Sequence, residues 1–195
     1  FKFIAYYKSF NNFNKINLNL AVELGINTAQ SSHVFNLVNK DFNMQVIGVD
    51  IKKCDYSNVY NGRFVHMDDI EFSKKFIEYV NKHNLQKTID VLFIDTSHMY
   101  EHTKKEIECW FPFLSDNAIV IFHDTNMPGV FHKSISWDNN RGVIRAIEEY
   151  FVSKFYEERP FVITNLLRGS NLWKIIHLPE SNGLTVMYKR DVSVL

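Results

Sequence analysis

The sequence predicts an α/β fold in which a mostly parallel, seven-stranded sheet is covered by helices on both faces. Short, almost continuously apolar segments alternate along the chain with amphipathic segments at helical spacing. The chain has 195 residues, of which 46% are hydrophobic and 23% are charged. This size and composition fit one folded domain over residues 1–195, with no internal repeat or low-complexity linker.

The predicted elements follow in a regular order. Strands are predicted at 18–24, 45–50, 63–67, 89–95 and 118–122, and an antiparallel hairpin at 172–176 and 184–188 closes the sheet. Helices are predicted at 29–39, 71–83, 100–114 and 142–155. Residues 1–17 are interpreted as an N-terminal helical extension, and the loop 126–140 as a candidate substrate lid.

Charge and cysteine content narrow the function classes. Lys+Arg and Asp+Glu are balanced at 22 each, which disfavours sequence-independent nucleic-acid binding. Cys54 and Cys109 lie far apart, which is typical of a reducing compartment. Neither a signal peptide nor an apolar run of about 20 residues is found, so we expect a cytoplasmic protein without a membrane partner. The chain does not begin with Met, which is typical of a fragment or a trimmed chain.

Acids and imidazoles stand where nearly every predicted strand ends. Ligands of parallel α/β sheets bind beyond the carboxyl ends of the strands, so these side chains are the candidate functional residues. They are Glu23 with Gly25, Asp50, Asp68 and Asp69, Asp95 with His98, and His123 with Asp124.

The turn after the first strand favours an adenosine cofactor without phosphates. It lacks the G-x-G-x-x-G and P-loop patterns, because Asn27 takes the place of the second glycine. Gly25 allows a close backbone approach, and the following helix N-terminus, with Ser31 or Ser32, offers donors to a carboxylate. Asp50 provides an acid for ribose hydroxyls. This set resembles class I S-adenosylmethionine (SAM) methyltransferases, although Ala29 replaces the last glycine of their motif. The alternative is a plain strand-to-helix turn.

The fourth and fifth strands carry a sharper resemblance, which covers residues 18–150. The segments FIDTSHMYE, WFPFL and FHDT match a branch that has "FID..H.YE", "W.P.L" and "FHDT" at these places. The branch includes sugar O-methyltransferases of the macrocin and mycinamicin type and cephalosporin-hydroxylase-like proteins. The resemblance therefore implies a Rossmann-like class I methyltransferase fold and SAM as cofactor.

The resemblance also implies a metal site and a base. In the branch a divalent metal holds two substrate oxygens, and its ligands match Asp95, His123 and Asp124. Many relatives have a carboxylate at position 123, so the imidazole here favours a softer ion than Mg²⁺. The separations 123 − 95 = 28 and 124 − 95 = 29 residues also suit one crossover helix between neighbouring strands. His98 matches the proposed general base, and a helix cap or surface histidine is the alternative.

The cofactor set is completed by an acid after the third strand. Asp68 matches the family acid that faces the adenine amino group, and the alternative is a helix cap before Glu71. The predicted cofactor residues are thus Glu23, Gly25, Asn27, Ser31, Asp50, Asp68 and Asp95. His66 and His102 are given no role.

The function predicted from these motifs is SAM-dependent O-methylation of a hydroxyl on a sugar or another small molecule, assisted by Mg²⁺, Mn²⁺ or another transition metal. Two alternatives remain open at this point. One is a metal-dependent hydroxylase-like enzyme, since two carboxylates and one imidazole also suit iron. The other is a non-catalytic SAM-binding module. Relatives form homo-oligomers, so the resemblance also implies that this chain can self-associate.

Overall fold

The computed structural model describes residues 18–27, 31–32, 35, 43–53, 63–126 and 141–191. The predicted extension 1–17 and nearly all of the candidate lid 126–140 lie outside these residues, and only Asn126 of the lid is described. Of the first predicted helix, Ser31, Ser32 and Phe35 are described, and all three are helical. Among the described residues, no helix is long and apolar enough to cross a membrane.

The described residues form eight strands and four α-helices with known bounds. The helical residues 31, 32 and 35 belong to a further helix, called the first helix below. The strands are β1 (Leu20–Leu24), β2 (Gln45–Asp50), β3 (Phe64–His66), β4 (Ile89–Ile94), β5 (Leu114–His123), β6 (Phe161–Arg168), β7 (Asn171–Leu178) and β8 (Leu184–Asp191). The helices are α1 (Asp69–Ser73), α2 (Phe76–Lys82), α3 (Tyr100–Trp110) and α4 (Gly142–Phe151). A 3₁₀ turn, Phe111–Phe113, follows α3 directly.

All eight strands form one sheet in the order β3-β2-β1-β4-β5-β8-β7-β6. The first five are parallel, and β8, β7 and β6 extend the sheet in antiparallel fashion. The predicted fold class is confirmed, with eight strands instead of seven. The additional strand, β6, lies at the sheet edge, where Val162 and Leu167 are exposed. Its apolar residues are interrupted by Thr164 and Asn165, so it lacks the continuous apolar run of the inner strands.

The predicted helix 71–83 is divided into α1 and α2 at Lys74 and Lys75. The hydroxyl of Ser73 donates to the carbonyl of Ile70 at 2.7 Å and competes with the helical bond from Lys74, whose amide turns to Phe72 instead. The apolar face continues across the break, since Phe72, Phe76 and Val80 are all buried, whereas Ile77 is 40% exposed.

The core explains why the strand ends are fixed in place. β1 and β4 are buried along their whole length, and the aromatic side chains of Phe72, Phe76 and Trp110 pack beneath α1, α2 and α3. Because β1, β2, β4 and β5 run parallel, their carboxyl ends meet at one edge of the sheet. This edge carries most of the predicted functional residues.

Candidate active site

Gly25 stands at the end of β1, where the backbone turns toward the first helix. Its φ is +81°, and a Cβ placed there would lie 1.9 Å from the carbonyl oxygen of Asp95. Its amide donates to the carbonyl of Val49 at 2.9 Å. The close approach that the sequence predicted toward a cofactor is, in this structure, an approach between the ends of β1 and β4.

Glu23 lies under the same turn and is completely buried. Its carboxylate accepts hydrogen bonds from the hydroxyl of Ser31 and, at 2.9 Å, from that of Ser32. Burial raises the pKa of Glu23 to about 7, although the two serine hydroxyls act in the opposite direction. Glu23 and Ser31 therefore hold the first helix against β1 from inside the fold.

Asp50 ends β2 and faces the same turn. One oxygen accepts from the amides of Ile26 at 2.8 Å and Asn27 at 2.9 Å, and the other from the amide of Lys52 at 2.7 Å. Asn27 itself is exposed and adopts a positive φ of 45°. The acid predicted to bind ribose is thus also the residue that shapes the turn around it.

Asp68 is the N-cap of α1 and accepts from the amide of Glu71 at 3.0 Å. This is the helix-cap arrangement that the sequence left open as the alternative. The residue lies beyond the end of β3, at the edge of the sheet where the parallel strands end.

Three side chains converge where β4 and β5 end. Nε2 of His98 lies 3.0 Å from Oδ1 of Asp95 and 2.9 Å from Oδ2 of Asp124. The side chain of His98 is 14% exposed and that of Asp124 is 6% exposed, so this cluster is sheltered while remaining at the rim. The sequence predicted one member as a base and two as metal ligands, and the structure places all three in contact.

The backbone at this rim is strained at two residues. His98 has a φ of +59° and Asp124 a φ of +55°, both in the left-handed region that favours glycine. Such conformations cost on the order of 1–3 kcal/mol each and are found preferentially at functional sites. Ten described non-glycine residues have a positive φ, and His98 and Asp124 are the two of them whose side chains contact each other at this rim.

His123 lies beside the cluster instead of at its centre. Its Nδ1 is 3.1 Å from Oδ1 of Asp124 and 3.7 Å from Oδ1 of Asp95. Within the described part of the chain, His123 Nδ1 and Asp124 Oδ1 are buried and make no hydrogen bond. Coordinating atoms of Asp95, His98 and Asp124 all lie within 4.8 Å of one another, so the tightest candidate ligand set includes His98 and not His123.

The charges of the cluster are strongly coupled. Burial lowers the pKa of His98, but the carboxylates of Asp124 and Asp95 outweigh it and raise that pKa to about 9. The carboxylate of Asp124 also raises the pKa of His123. Burial raises the pKa of Asp124, yet the two imidazoles prevail and hold it well below its usual range. In this arrangement the His98 imidazolium occupies the space between two ionised carboxylates.

The β7–β8 hairpin supports the rim from behind, which the sequence analysis did not predict. The amide of Thr125 donates to Gly183 at 3.3 Å, and Oγ1 of Thr125 lies 2.9 Å from that of Thr185. Nδ1 of the buried His177 lies 2.8 Å from the same Thr185 hydroxyl. Gly183 has a φ of +90°, and a Cβ there would lie 2.3 Å from the amide nitrogen of Asn126. The only sequence signal was a Thr after the FHDT acid and a glycine before β8.

Comparison with known families places this geometry in context. A family model described as "Methyltransferase domain" matches residues 22–125, which contain the last three residues of β1, all of β2 to β5 and the whole rim. Among curated proteins, an uncharacterised protein of Sinorhizobium fredii, y4gI, is 40% identical over 40 residues. That match covers 20% of this chain and 4% of y4gI.

Solved structures share the fold over nearly the whole chain. A Klebsiella pneumoniae protein assigned as an O-methyltransferase has a TM-score of 0.57 at 9% identity, covering 97% of this chain and 79% of that one. The mycinamycin-pathway methyltransferase MycE, in complex with Mg, SAH and mycinamycin VI, has a TM-score of 0.55 at 14% identity over 96% of this chain. This chain spans 49% of MycE. A Bacillus cereus O-methyltransferase with SAH has a TM-score of 0.52 at 9% identity, covering 87% and 73%.

Proposed function

The chain belongs to the methyltransferase-domain family and is a SAM-dependent methyltransferase, and we propose that it methylates a hydroxyl group of a sugar or another small molecule. The observation that carries the proposal is the contact of His98 with both Asp95 and Asp124 at the rim where β4 and β5 end. A base and two carboxylates at one point are what the removal of a hydroxyl proton requires. The MycE complex with a macrolide supports the acceptor class.

We infer that the cofactor lies along the edge formed by β1, β2 and β4. Asp50 would hold the ribose hydroxyls, Asp68 the adenine side, and Asn27 and Gly25 the backbone between them. Glu23 and Ser31 act from beneath by fixing the first helix. Asp95, whose carbonyl abuts Gly25, connects this edge to the rim. SAM supplies a methyl group already activated on a sulfonium, so the chain's task is mainly positioning.

A divalent cation fits the donor set at the rim. Asp95 and Asp124 would hold it, with the imidazole of His123 as the third ligand, since its Nδ1 lies 3.1 Å from Oδ1 of Asp124 and 3.7 Å from Oδ1 of Asp95. Nε2 of His98 then remains available for the proton. Such a cation would act as a Lewis acid toward the acceptor hydroxyl and neutralise the carboxylates that retain the His98 proton. An imidazole in the set favours Mn²⁺ or a later metal over Mg²⁺.

His98 is the group that would accept the proton. As the methyl group passes from the sulfonium to the acceptor oxygen, the hydroxyl O–H bond breaks and the proton moves to Nε2 of His98. The carboxylates of Asp95 and Asp124 lie 3.0 and 2.9 Å from this nitrogen, so they would stabilise the proton once Nε2 carries it, and S-adenosylhomocysteine leaves with the electrons of the broken C–S bond. The turn that follows Asp124 is held by the β7–β8 hairpin. The balanced charge and the two distant cysteines support a cytoplasmic enzyme that acts on small molecules and not on nucleic acid.

The test is transfer of one methyl group by the full chain. Mycinamycin VI and a set of deoxyhexose glycosides serve as acceptor probes, with SAM as donor and product mass as the readout. We expect one added methyl group per product, loss of turnover in EDTA, and better recovery with Mn²⁺ than with Mg²⁺. Full turnover in EDTA would remove the cation from the proposal, and an Asp95→Asn variant that remains fully active would remove the rim.

A further inference from the structure

A second cluster of potential ligands lies between α1 and α3, away from the rim. Asp69 is the first residue of α1, and His102 and Glu106 stand one turn apart on α3. Nε2 of His102 lies 3.0 Å from Oδ1 of Asp69 and 3.6 Å from Oε1 of Glu106. One coordinating atom from each residue lies within 4.8 Å of the other two.

The carboxylates of this cluster are deeply buried and incompletely bonded. Glu106 is completely buried and Asp69 is 7% exposed. Oε1 of Glu106 accepts from the hydroxyl of Thr96 at 2.6 Å, but Oε2 of Glu106 and Oδ2 of Asp69 make no hydrogen bond within the described residues. A buried carboxylate oxygen without a partner is costly, so this cluster calls for a further positive group.

We propose that Asp69, His102 and Glu106 form a second divalent-cation site, separate from the catalytic rim. Two atoms that bind one ion at about 2.1 Å lie roughly 3.0 Å apart at a right angle and about 3.4 Å apart at the tetrahedral angle. The observed spacing of 3.0 Å falls in this range and that of 3.6 Å lies slightly above it, so a small movement of the Glu106 side chain would bring all three atoms to one ion. Two carboxylates and one neutral imidazole balance the charge of a divalent ion.

The donor set indicates which cation the cluster takes. An imidazole ligand in a buried pocket favours Zn²⁺ or Mn²⁺, whereas Mg²⁺ prefers oxygen ligands and retains several waters. The side chain of His102 is 26% exposed, so an ion could reach the cluster from solvent past this residue, together with a water that completes its coordination.

The position of the cluster indicates what the ion would do. It would clamp the start of α1, where Asp68 caps the helix, to α3, which follows the rim. Thr96, which donates to Glu106, is the neighbour of Asp95 in the chain. The second cation is therefore a structural ion that stabilises the adenine side and the rim together, and it contacts neither substrate nor cofactor.

Calorimetry with ZnCl₂ on the full chain tests the proposal independently of methyl transfer. In an Asp95→Asn/Asp124→Asn variant the rim can no longer compete, and we expect one Zn²⁺ to bind while MgCl₂ gives no signal. Adding His102→Gln should weaken that binding by on the order of 100-fold or more, since even groups that only orient a ligand matter by 10–100-fold. His83→Gln, which removes an exposed histidine from the end of α2, should leave it unchanged.

Two outcomes overturn the second site. One is a rim variant that binds no Zn²⁺, which indicates that the carboxyl groups are balanced by protons instead. The other is a His102→Gln variant with unchanged affinity. If His102→Gln fails to fold, Glu106→Gln takes its place in the calorimetry, since its amide oxygen can still accept from Thr96. In addition, anomalous scattering at the zinc edge from wild-type crystals must show a peak shared by all three residues. These results do not depend on whether the rim methylates a hydroxyl.

Discussion

The two halves of the functional edge use their polar side chains in opposite ways. At the β1–β2 half, the carboxylates of Glu23 and Asp50 accept hydrogen bonds from the chain itself, from serine hydroxyls in one case and backbone amides in the other. At the β4–β5 half, Asp95 and Asp124 share the imidazole of His98, and that of His123 lies beside them. The backbone is strained there at His98 and Asp124.

We call the β1–β2 half the shaped half, because hydrogen bonds from the chain hold its acids in place. We call the β4–β5 half the poised half, because its carboxylates face imidazoles. Hydrogen bonds to backbone amides fix a turn and leave its acids little freedom to move. Carboxylates whose partners are imidazoles and not backbone amides can exchange those partners for another positive group. This contrast supports the proposal that the first half positions the cofactor and that the second half carries the chemistry.

The largest effect should follow from changing His98. His98→Gln keeps a hydrogen-bonding side chain but cannot take up a proton, and loss of a general base typically lowers kcat by 10²–10⁴-fold. Affinity for S-adenosylhomocysteine should remain close to that of the wild type, since the ring belongs to the poised half. Steady-state kinetics and calorimetry measure the two quantities separately.

Backbone strain at His98 requires a second variant. His98→Asn tolerates the positive φ better than Gln does, so it distinguishes lost chemistry from lost backbone geometry. Both variants should be equally inactive. Recovery of turnover in His98→Asn would show that the backbone, and not the imidazole, is what the reaction needs.

The next effect is on folding, at the junction of the two halves. In Gly25→Ala the new Cβ would lie 1.9 Å from the Asp95 carbonyl oxygen, so the ends of β1 and β4 must separate. We expect a loss of about 3 kcal/mol or more in the free energy of unfolding. Gly169→Ala is a matched control, because Gly169 also has a positive φ, +60°, but has nothing within 4 Å. It should lose only roughly 1–2 kcal/mol. Equal losses in urea titrations would mean that the contact is unimportant.

The sequence predicted most of the fold because the inner strands are buried on both faces. β2 matched its prediction residue for residue, and β1 and β4 differed only at their ends. The edge strand β6 and the break at Lys74 were missed for two different physical reasons. The strand forms by pairing with β7, whereas the break accompanies a local bond from the Ser73 hydroxyl to Ile70, and a serine within a helix does not usually end it.

The candidate site was predicted in its membership but not in its pairing. Chain order places Asp95, His98 and Asp124 at strand ends, since the carboxyl ends of parallel strands share one edge. Which nitrogen faces which oxygen depends on the positive φ of His98, which no local pattern encodes. His102 was given no role for a related reason. The sequence shows that His102 and Glu106 share one face of a helix, but it does not show that Asp69 of α1 packs against that face.

A smaller effect, on stability against pH, tests the shaped half. The pKa of Glu23 is raised from 4.5 to about 7, so the folded state holds a proton that the unfolded state releases. The stabilisation is fully present below about pH 4.5 and is lost as the pH rises through about 7, by up to about 3 kcal/mol. Glu23→Gln cannot titrate and should lack this loss. The difference between the two unfolding free energies, measured from pH 4.5 to 8, isolates Glu23, and a constant difference would contradict its burial as an acid.

The smallest effect should come from changing Asp50, which holds the turn after β1 and is also the predicted ribose ligand. Asp50→Ala removes the acceptor for Ile26, Asn27 and Lys52, and it should weaken S-adenosylhomocysteine binding by about 1.5–3 kcal/mol. That loss alone does not distinguish a ribose ligand from an acid that only holds the turn.

Asp50→Asn makes this distinction, because its amide oxygen can still accept from Ile26 and Asn27 while the charge toward the ribose is gone. If Asp50 binds the ribose, Asp50→Asn should unfold nearly like the wild type in urea and yet lose most of the cofactor affinity in calorimetry. If that variant binds S-adenosylhomocysteine as the wild type does, Asp50 only shapes the turn, and the contrast between the two halves becomes complete.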